Sequence, residues 1–303
     1  MNKLKLQDYD LQASVHTFVL RSSSAPLIPE NIGSEVAQTA YFSKSDSWLT
    51  TINPNKLEYG DLFTYSEFNA AVHDLIDIME VPDSTYYRVD IRLDSYEENF
   101  QSYLKLNMLL TNLFSILYND PNRQAVAYML TQEKVFSGVS TQNQYRQVEY
   151  YDKKFQTNDE DPAKARLEFR CLKSKKQNGF PPHEFKNELF KRLDELPKHY
   201  DELQLACNHR MYKAYLTHCK EAGRISGKED RATEFLSHYH NNMTMFTRKQ
   251  LEQFLEMCGI NDSRGVYRAD YITKSYQLEY FSMPDLQNYI KKLKESMNEF
   301  FEN

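Results

Sequence analysis

Residues 86–94, YYRVDIRLD, constrain the fold more than any other stretch of the chain. Val89, Ile91 and Leu93 fall on one side of an extended backbone, and Arg88, Asp90, Arg92 and Asp94 fall on the other. A helix cannot use this pattern, because a period of two scatters the apolar residues around its circumference. One apolar and one charged side instead suit an antiparallel sheet covered on a single face. ARLEFRCL, residues 165–172, repeats the arrangement, with Leu167 and Phe169 opposed to Arg166, Glu168 and Arg170. In VEYYDKKFQ, residues 148–156, the same period sends Val148 and Tyr150 one way and Glu149, Tyr151 and Lys153 the other.

Helical periodicity interleaves with these strands. SEFNAAVHDLIDIME sets Phe68, Ala71, Val72, Leu75, Ile76 and Met79 at helical spacing behind a serine cap at Ser66. Leu106, Leu110, Leu113, Phe114 and Leu117 form a second stripe. SWLTTINPNKL reads as a short strand ended by Pro54, which has no N–H for a ladder. The segment 125–155 reads as strands joined by polar turns. From NGFPPHEF onward the pattern is helical, with Gly179, Pro181 and Pro182 marking a hinge. The expected fold is α+β: an antiparallel-sheet domain over residues 1–178 with helices on one face, then a helical domain over residues 179–303.

The 303 residues are 41% hydrophobic, ample for a buried core. With 37 basic against 43 acidic residues the formal charge is -6, which argues against indiscriminate binding to polyanions, so any nucleic-acid contact must be local. No apolar h-region follows the first residues, and no secretory signal is expected. The longest apolar stretch, LKLNMLLTNLFSILY, is interrupted by Lys105, Asn107, Thr111 and Asn112 and is shorter than the roughly 20 residues that span a bilayer. It reads as a buried helix, with no membrane association. Cys171, Cys207, Cys219 and Cys258 show no paired spacing, so the expected location is cytoplasmic.

The charged side of the three strands carries Asp90, Asp94, Glu149, Tyr151, Lys153, Glu168 and several arginines. Two readings fit this alternation. One is the solvated outer face of an antiparallel sheet. The other is a phosphoryl-transfer site, in which two carboxylates hold Mg²⁺ or Mn²⁺ through hard oxygen ligands and a tyrosine attacks phosphorus.

INPNKL, YYRVDIRLD, EYYDKK and RLEF, in this order and at comparable spacing between about Asp46 and Lys173, resemble the strand motifs of the replication initiation factor family. These are the rolling-circle initiators of the staphylococcal plasmid type, with related relaxases of conjugative elements. The resemblance implies an enzyme that nicks one DNA strand at an origin through tyrosine, forming a 5′-phosphotyrosine intermediate and a free 3′ hydroxyl primer. It implies Tyr151 as nucleophile, as the tyrosine directly before the short polar-Lys-Lys run, while Tyr150 packs. Asp90 and Glu168 match the family's metal ligands for Mg²⁺ or Mn²⁺. Arg170 stands where some members carry a second glutamate. Lys153 is expected to favour the phenolate by its charge, and Arg88, Lys154, Arg166 and Arg170 to position DNA phosphates. The implied partners are supercoiled duplex and single-stranded origin DNA, a host replicative helicase and polymerase, and a second copy of the chain. Two alternatives share the motifs: a conjugative relaxase, and a DNA-binding regulator that keeps the fold without cleaving.

Two other groupings suggest metal sites. His238 and His240 have a ligand-like spacing, but their segment reads as helix, where residues two apart diverge by about 200°. Cys207, His209, His218 and Cys219 suggest zinc, yet on one helix Cys207 and His218 lie ~16 Å apart, too far for a tetrahedral site. SRGVYRADYITKSY in the helical half reads equally as a DNA-reading element and as a plain helix with its connector.

Overall fold

The computed structural model describes residues 2–3, 10–30, 32–34, 36–56, 64–97, 100–118, 138–158, 162–172, 180–221, 227–239, 248–261, 263–275, 279–280 and 282–303. The strands are β1 (Asn2–Lys3), β2 (Leu11–Ser22), β3 (Ala37–Phe42), β4 (Ser47–Ile52), β5 (Thr85–Ser95), β6 (Gly138–Gln142), β7 (Arg146–Asp152), β8 (Ala165–Cys171) and β9 (Glu279–Tyr280). The helices are α1 (Tyr65–Ile78), α2 (Gln101–Leu117), the single turn α3 (Lys153–Gln156), α4 (Pro182–Glu195), α5 (Tyr200–Glu221), α6 (Lys228–Tyr239), α7 (Arg248–Met257), α8 (Ser263–Ser275) and α9 (Met283–Glu302). The fold is α+β, built on a seven-stranded sheet in the order β3-β4-β2-β5-β8-β7-β6, with β1 and β9 pairing separately in parallel. The register places Asp90 opposite Arg170, Arg92 opposite Glu168 and Asp94 opposite Arg166 between β5 and β8. Between β7 and β8 it places Glu149 opposite Glu168 and Tyr151 opposite Arg166.

Against a cut at 178, the chain divides into two compact units, each assembled from separate stretches. Residues 9–100, 142–194 and 290–303 make one; residues 1–8, 101–141 and 195–289 make the other. Gly179, expected at the hinge, lies outside the described residues.

In the first unit the apolar side of the sheet carries Ala13, Val15, Phe18, Val89, Ile91, Leu93, Val148, Tyr150, Leu167 and Phe169, all buried. Phe18 meets Phe68 of α1 edge to face, with ring centroids 5.4 Å apart. The α1 cap is Thr64 rather than Ser66: its side chain accepts from the Glu67 N–H and Glu67 returns the bond to the Thr64 N–H. That capping box starts the helix ahead of the serine. Arg146, at the end of β7, is held by Glu188 of α4 at 2.6 Å and lies over the Phe180 and Phe185 rings. The end of α9 returns to this unit, where Ser296 Oγ donates to the Leu11 carbonyl at 2.7 Å and Phe301 packs on Tyr65.

The second unit is helical apart from its short strands. Tyr215 of α5 meets Phe235 of α6 and Phe254 of α7 edge to face, and the latter two rings stack at 5.8 Å. Tyr289 donates to Asn107 and its ring lies 6.0 Å from that of Tyr103, tying the start of α2 into the same core. The α2 stripe is broader than expected, since Tyr103, Leu109, Thr111, Asn112 and Ser115 are buried as well. Among the described residues no helix is long and apolar enough to cross a membrane.

Candidate active site

The charged side of the sheet is not a solvated face. Asp90, Asp94 and Glu168 are each 1% exposed. Taking three carboxylates out of water costs several kcal/mol apiece unless cations and donors surround them. The sequence supplies these on the same strands.

Two clusters result. In the first, Arg166 grips Asp94 with two parallel hydrogen bonds of 2.6 and 2.9 Å, while Arg92 Nε lies 3.3 Å from the same carboxylate and donates to Ser14 Oγ at 2.6 Å. Arg166, expected on the DNA backbone, is thus buried and committed to Asp94, because the register sets the two directly across from each other.

The second cluster contains the tyrosine. Arg88 binds Asp90 through both carboxylate oxygens, with Nε to Oδ1 at 2.9 Å. Arg170 is the hub: Nη1 lies 2.8 Å from Glu149 Oε2, Nη2 lies 3.0 Å from Glu168 Oε2, and Nη2 donates to Tyr151 Oη at 2.7 Å. Its Nε, buried and without a hydrogen-bond partner, is 3.8 Å from Asp90 Oδ2. Glu149 and Glu168 are direct cross-strand neighbours, a repulsive pairing that this shared guanidinium offsets.

His16, which sequence patterning did not single out, completes the ring with Nδ1 3.1 Å from Glu168 Oε1. It reaches there because β2 bulges. Val15 pairs with Ile91 and Thr17 with Asp90, leaving His16 as the extra residue. A bulge of this kind re-aims a side chain. The same extra residue breaks the alternation, so the apolar positions run Ala13, Val15, Phe18, Leu20 and evade a period-two search.

Burial sets the electrostatics. It pushes the Asp90 carboxyl up to about 6 against the pull of Arg88. Burial acts on Glu168 in the same direction, but hydrogen bonds from His16 and Arg170 hold that carboxyl below its ordinary value. The Tyr151 phenol is raised, first by burial, then by the Glu168 charge and by its hydrogen bond to Glu149, with Arg170 opposing.

Tyr150 is 5% exposed on the apolar side, whereas Tyr151 is half-buried on the charged side. Strand alternation stops at Asp152, whose side chain accepts from the Phe155 N–H and caps α3. Lys153 and Lys154 therefore belong to a helical turn rather than to the strand face, and Lys153 Nζ donates to Gln156 at 3.3 Å. The cation touching the Tyr151 hydroxyl is Arg170.

The divalent ion implied by the resemblance does not fit these residues as arranged. Both oxygens of Asp90 accept from Arg88, and those of Glu168 bond His16 and Arg170. Among the described residues no group of three or more His, Cys, Asp or Glu is placed to hold a metal. Cys207, His209, His218 and Cys219 lie along the single helix α5; His238 is in α6, and His240 lies outside the described residues.

No family model matches the chain, and no curated protein sequence does. Among solved structures it is similar to a rolling circle replication initiator protein from Geobacillus stearothermophilus, at 10% identity over 59% of this chain and 78% of that one, with a TM-score of 0.29.

Proposed function

We propose that the chain is a DNA strand-transfer enzyme of the rolling-circle initiator type, with Tyr151 as nucleophile. One observation carries this reading: the Tyr151 hydroxyl sits in a desolvated cluster between a base, Glu149, and a fixed guanidinium, Arg170. Perturbed ionisable groups gathered around one nucleophilic oxygen are a mark of functional sites.

In the proposed step Tyr151 Oη attacks the phosphorus of a DNA phosphodiester. The phenolic proton passes to Glu149, the P–O3′ bond breaks, and the departing 3′ oxygen takes a proton from a water whose hydroxide recovers the one held by Glu149. The products are a 5′-phosphotyrosine and a free 3′ hydroxyl; the reverse step rejoins the strand. Because the phenol is raised rather than lowered, the proton leaves as the bond to phosphorus forms, with Glu149 as general base. Arg88 and Arg170, each partly exposed, border the place where the phosphate must enter.

A second reading, a DNA-binding regulator that does not cleave, is favoured by that same raised phenol. Denaturing electrophoresis after incubation with a labelled oligonucleotide from the native locus separates the two. A covalent adduct formed by the wild type and by Tyr150→Phe but lost in Tyr151→Phe supports nucleophilic transfer. No adduct from the wild type, with or without Mg²⁺ or Mn²⁺, favours the regulator.

A further inference from the structure

Asp90, Glu149 and Glu168 are not placed as a three-carboxylate metal site; what each of them lies within 4 Å of is the guanidinium of Arg170. Its guanidinium spans Glu149, Glu168 and the Tyr151 hydroxyl at 2.7 to 3.0 Å, with Nε turned toward Asp90. A divalent ion bound to Glu168 Oε2 at the ~2.0–2.1 Å of Mg²⁺ would lie against Arg170 Nη2, which is 3.0 Å from that same oxygen. Two cations cannot share the position without one being expelled.

We infer that Arg170 is the resident cation of this site, excluding divalent metal and taking over the metal's work at the scissile phosphate. The inference rests on the strand-transfer reading above for its chemistry, although the exclusion of metal stands on geometry alone.

The guanidinium suits the task. Its planar fork presents several donors at fixed angles and pairs bidentately with phosphate, which a lysine cannot do. A phosphoryl group on Tyr151 Oη places its non-bridging oxygens two bonds beyond an atom that Arg170 already touches. As charge gathers on those oxygens, the Nη2 hydrogen that meets the phenol oxygen turns to the phosphate, while Glu149 holds Nη1 and Glu168 the other Nη2 hydrogen. Preorganised donors of this kind act without reorganising the site. No oxidant, reductant or further reactant is needed: Tyr151 supplies the oxygen, the DNA its leaving 3′ oxygen, and Arg170 only hydrogen bonds and charge.

The test compares the wild type with Arg170→Gln and Arg170→Lys in two assays. In the first, adduct formation on a labelled oligonucleotide is timed in excess EDTA and in millimolar Mn²⁺. The expected result is a wild-type rate in EDTA within about 2-fold of that in Mn²⁺, and a fall of about 10²–10³ in Arg170→Gln, the usual loss on removing an oxyanion donor. Arg170→Lys restores charge but little activity. A wild type that forms its adduct only with divalent metal overturns the inference and leaves the strand-transfer reading standing. In the second assay, thermal melting is followed with and without Mn²⁺, independently of any cleavage. The wild type should be unmoved and Arg170→Gln raised, since Glu149 and the Oε2 of Glu168 then lose their guanidinium and become available to the ion. A rise in the wild type, or none in Arg170→Gln, overturns the inference even if no adduct forms under any condition; that last outcome by itself sinks the strand-transfer reading and leaves melting to decide the cation.

Discussion

Asp94→Ala probes whether the charged side of the sheet is a buried ionic layer. The carboxylate is 2% exposed and receives Arg166 at 2.6 and 2.9 Å and Arg92 at 3.3 Å, so its removal takes the counter-charge from two buried arginines. Breaking a buried pair from one side costs about 3–5 kcal/mol, and at about 2–4 °C per kcal/mol for a unit of this size the melting temperature should drop by roughly 6–20 °C. Arg166→Met is the informative contrast. It removes the bidentate partner but leaves Arg92 within reach of Asp94, so the loss should be smaller, about 2 kcal/mol. Urea unfolding followed by circular dichroism gives both values, with unchanged slopes showing that the native states are comparable. Equal losses below about 1 kcal/mol would mean a hydrated surface pair, contradicting the burial argument. Binding of labelled single-stranded DNA adds a second check: Arg166→Met should bind within about 2-fold of wild type, and a 10-fold loss would restore Arg166 as a phosphate contact.

Thr64→Ala removes the α1 cap and should cost about 1 kcal/mol in urea unfolding, with Ser66→Ala near neutral. Gly265→Ala sets a new Cβ 2.9 Å from the Ile260 carbonyl oxygen, backbone that a rotamer change cannot relieve, and should destabilise by about 1–3 kcal/mol in thermal melting. Burial pushes the Cys171 and Cys207 thiols up to about 12, so at pH 8 only about 10⁻⁴ of each is the reactive thiolate. Thiol titration of the native protein should therefore show one accessible cysteine, the half-buried Cys219, and four after denaturation; rapid labelling of Cys171 in the native state would contradict the packing of β8.

The strands that carry the candidate site were legible because their alternation is uninterrupted. Val89, Ile91 and Leu93 mark β5 without ambiguity, and the register of charges follows once β5 and β8 are paired. The split between Tyr150 and Tyr151 is the same period read one residue at a time. His16 was not legible, since the bulge that delivers it to Glu168 also erases the period of β2. Glu149 was visible on the charged side, but its tie to the tyrosine depends on Arg170 standing between it and Glu168, a tertiary fact. Lys153 misled for a local reason: strand alternation was carried past Asp152, where a side-chain cap converts the chain to a helical turn. Nor did any local pattern indicate that residues 290–303 rejoin the sheet, because an amphipathic helix does not name the surface it will cover.

That return has a consequence for synthesis. β2 leaves the ribosome well before Ser296, Phe300 and Phe301, which close over Leu11 and Tyr65 and emerge only after the intervening residues have been made. At ~5–20 residues per second this separation lasts about 15–60 s, during which Tyr65 and the backbone of Leu11 wait without their final cover. A ribosome stalled short of residue 290 therefore releases a chain whose sheet unit lacks its last stretch. The complete sheet unit is thus available only once α9 has been translated, because residues 290–303 are part of it.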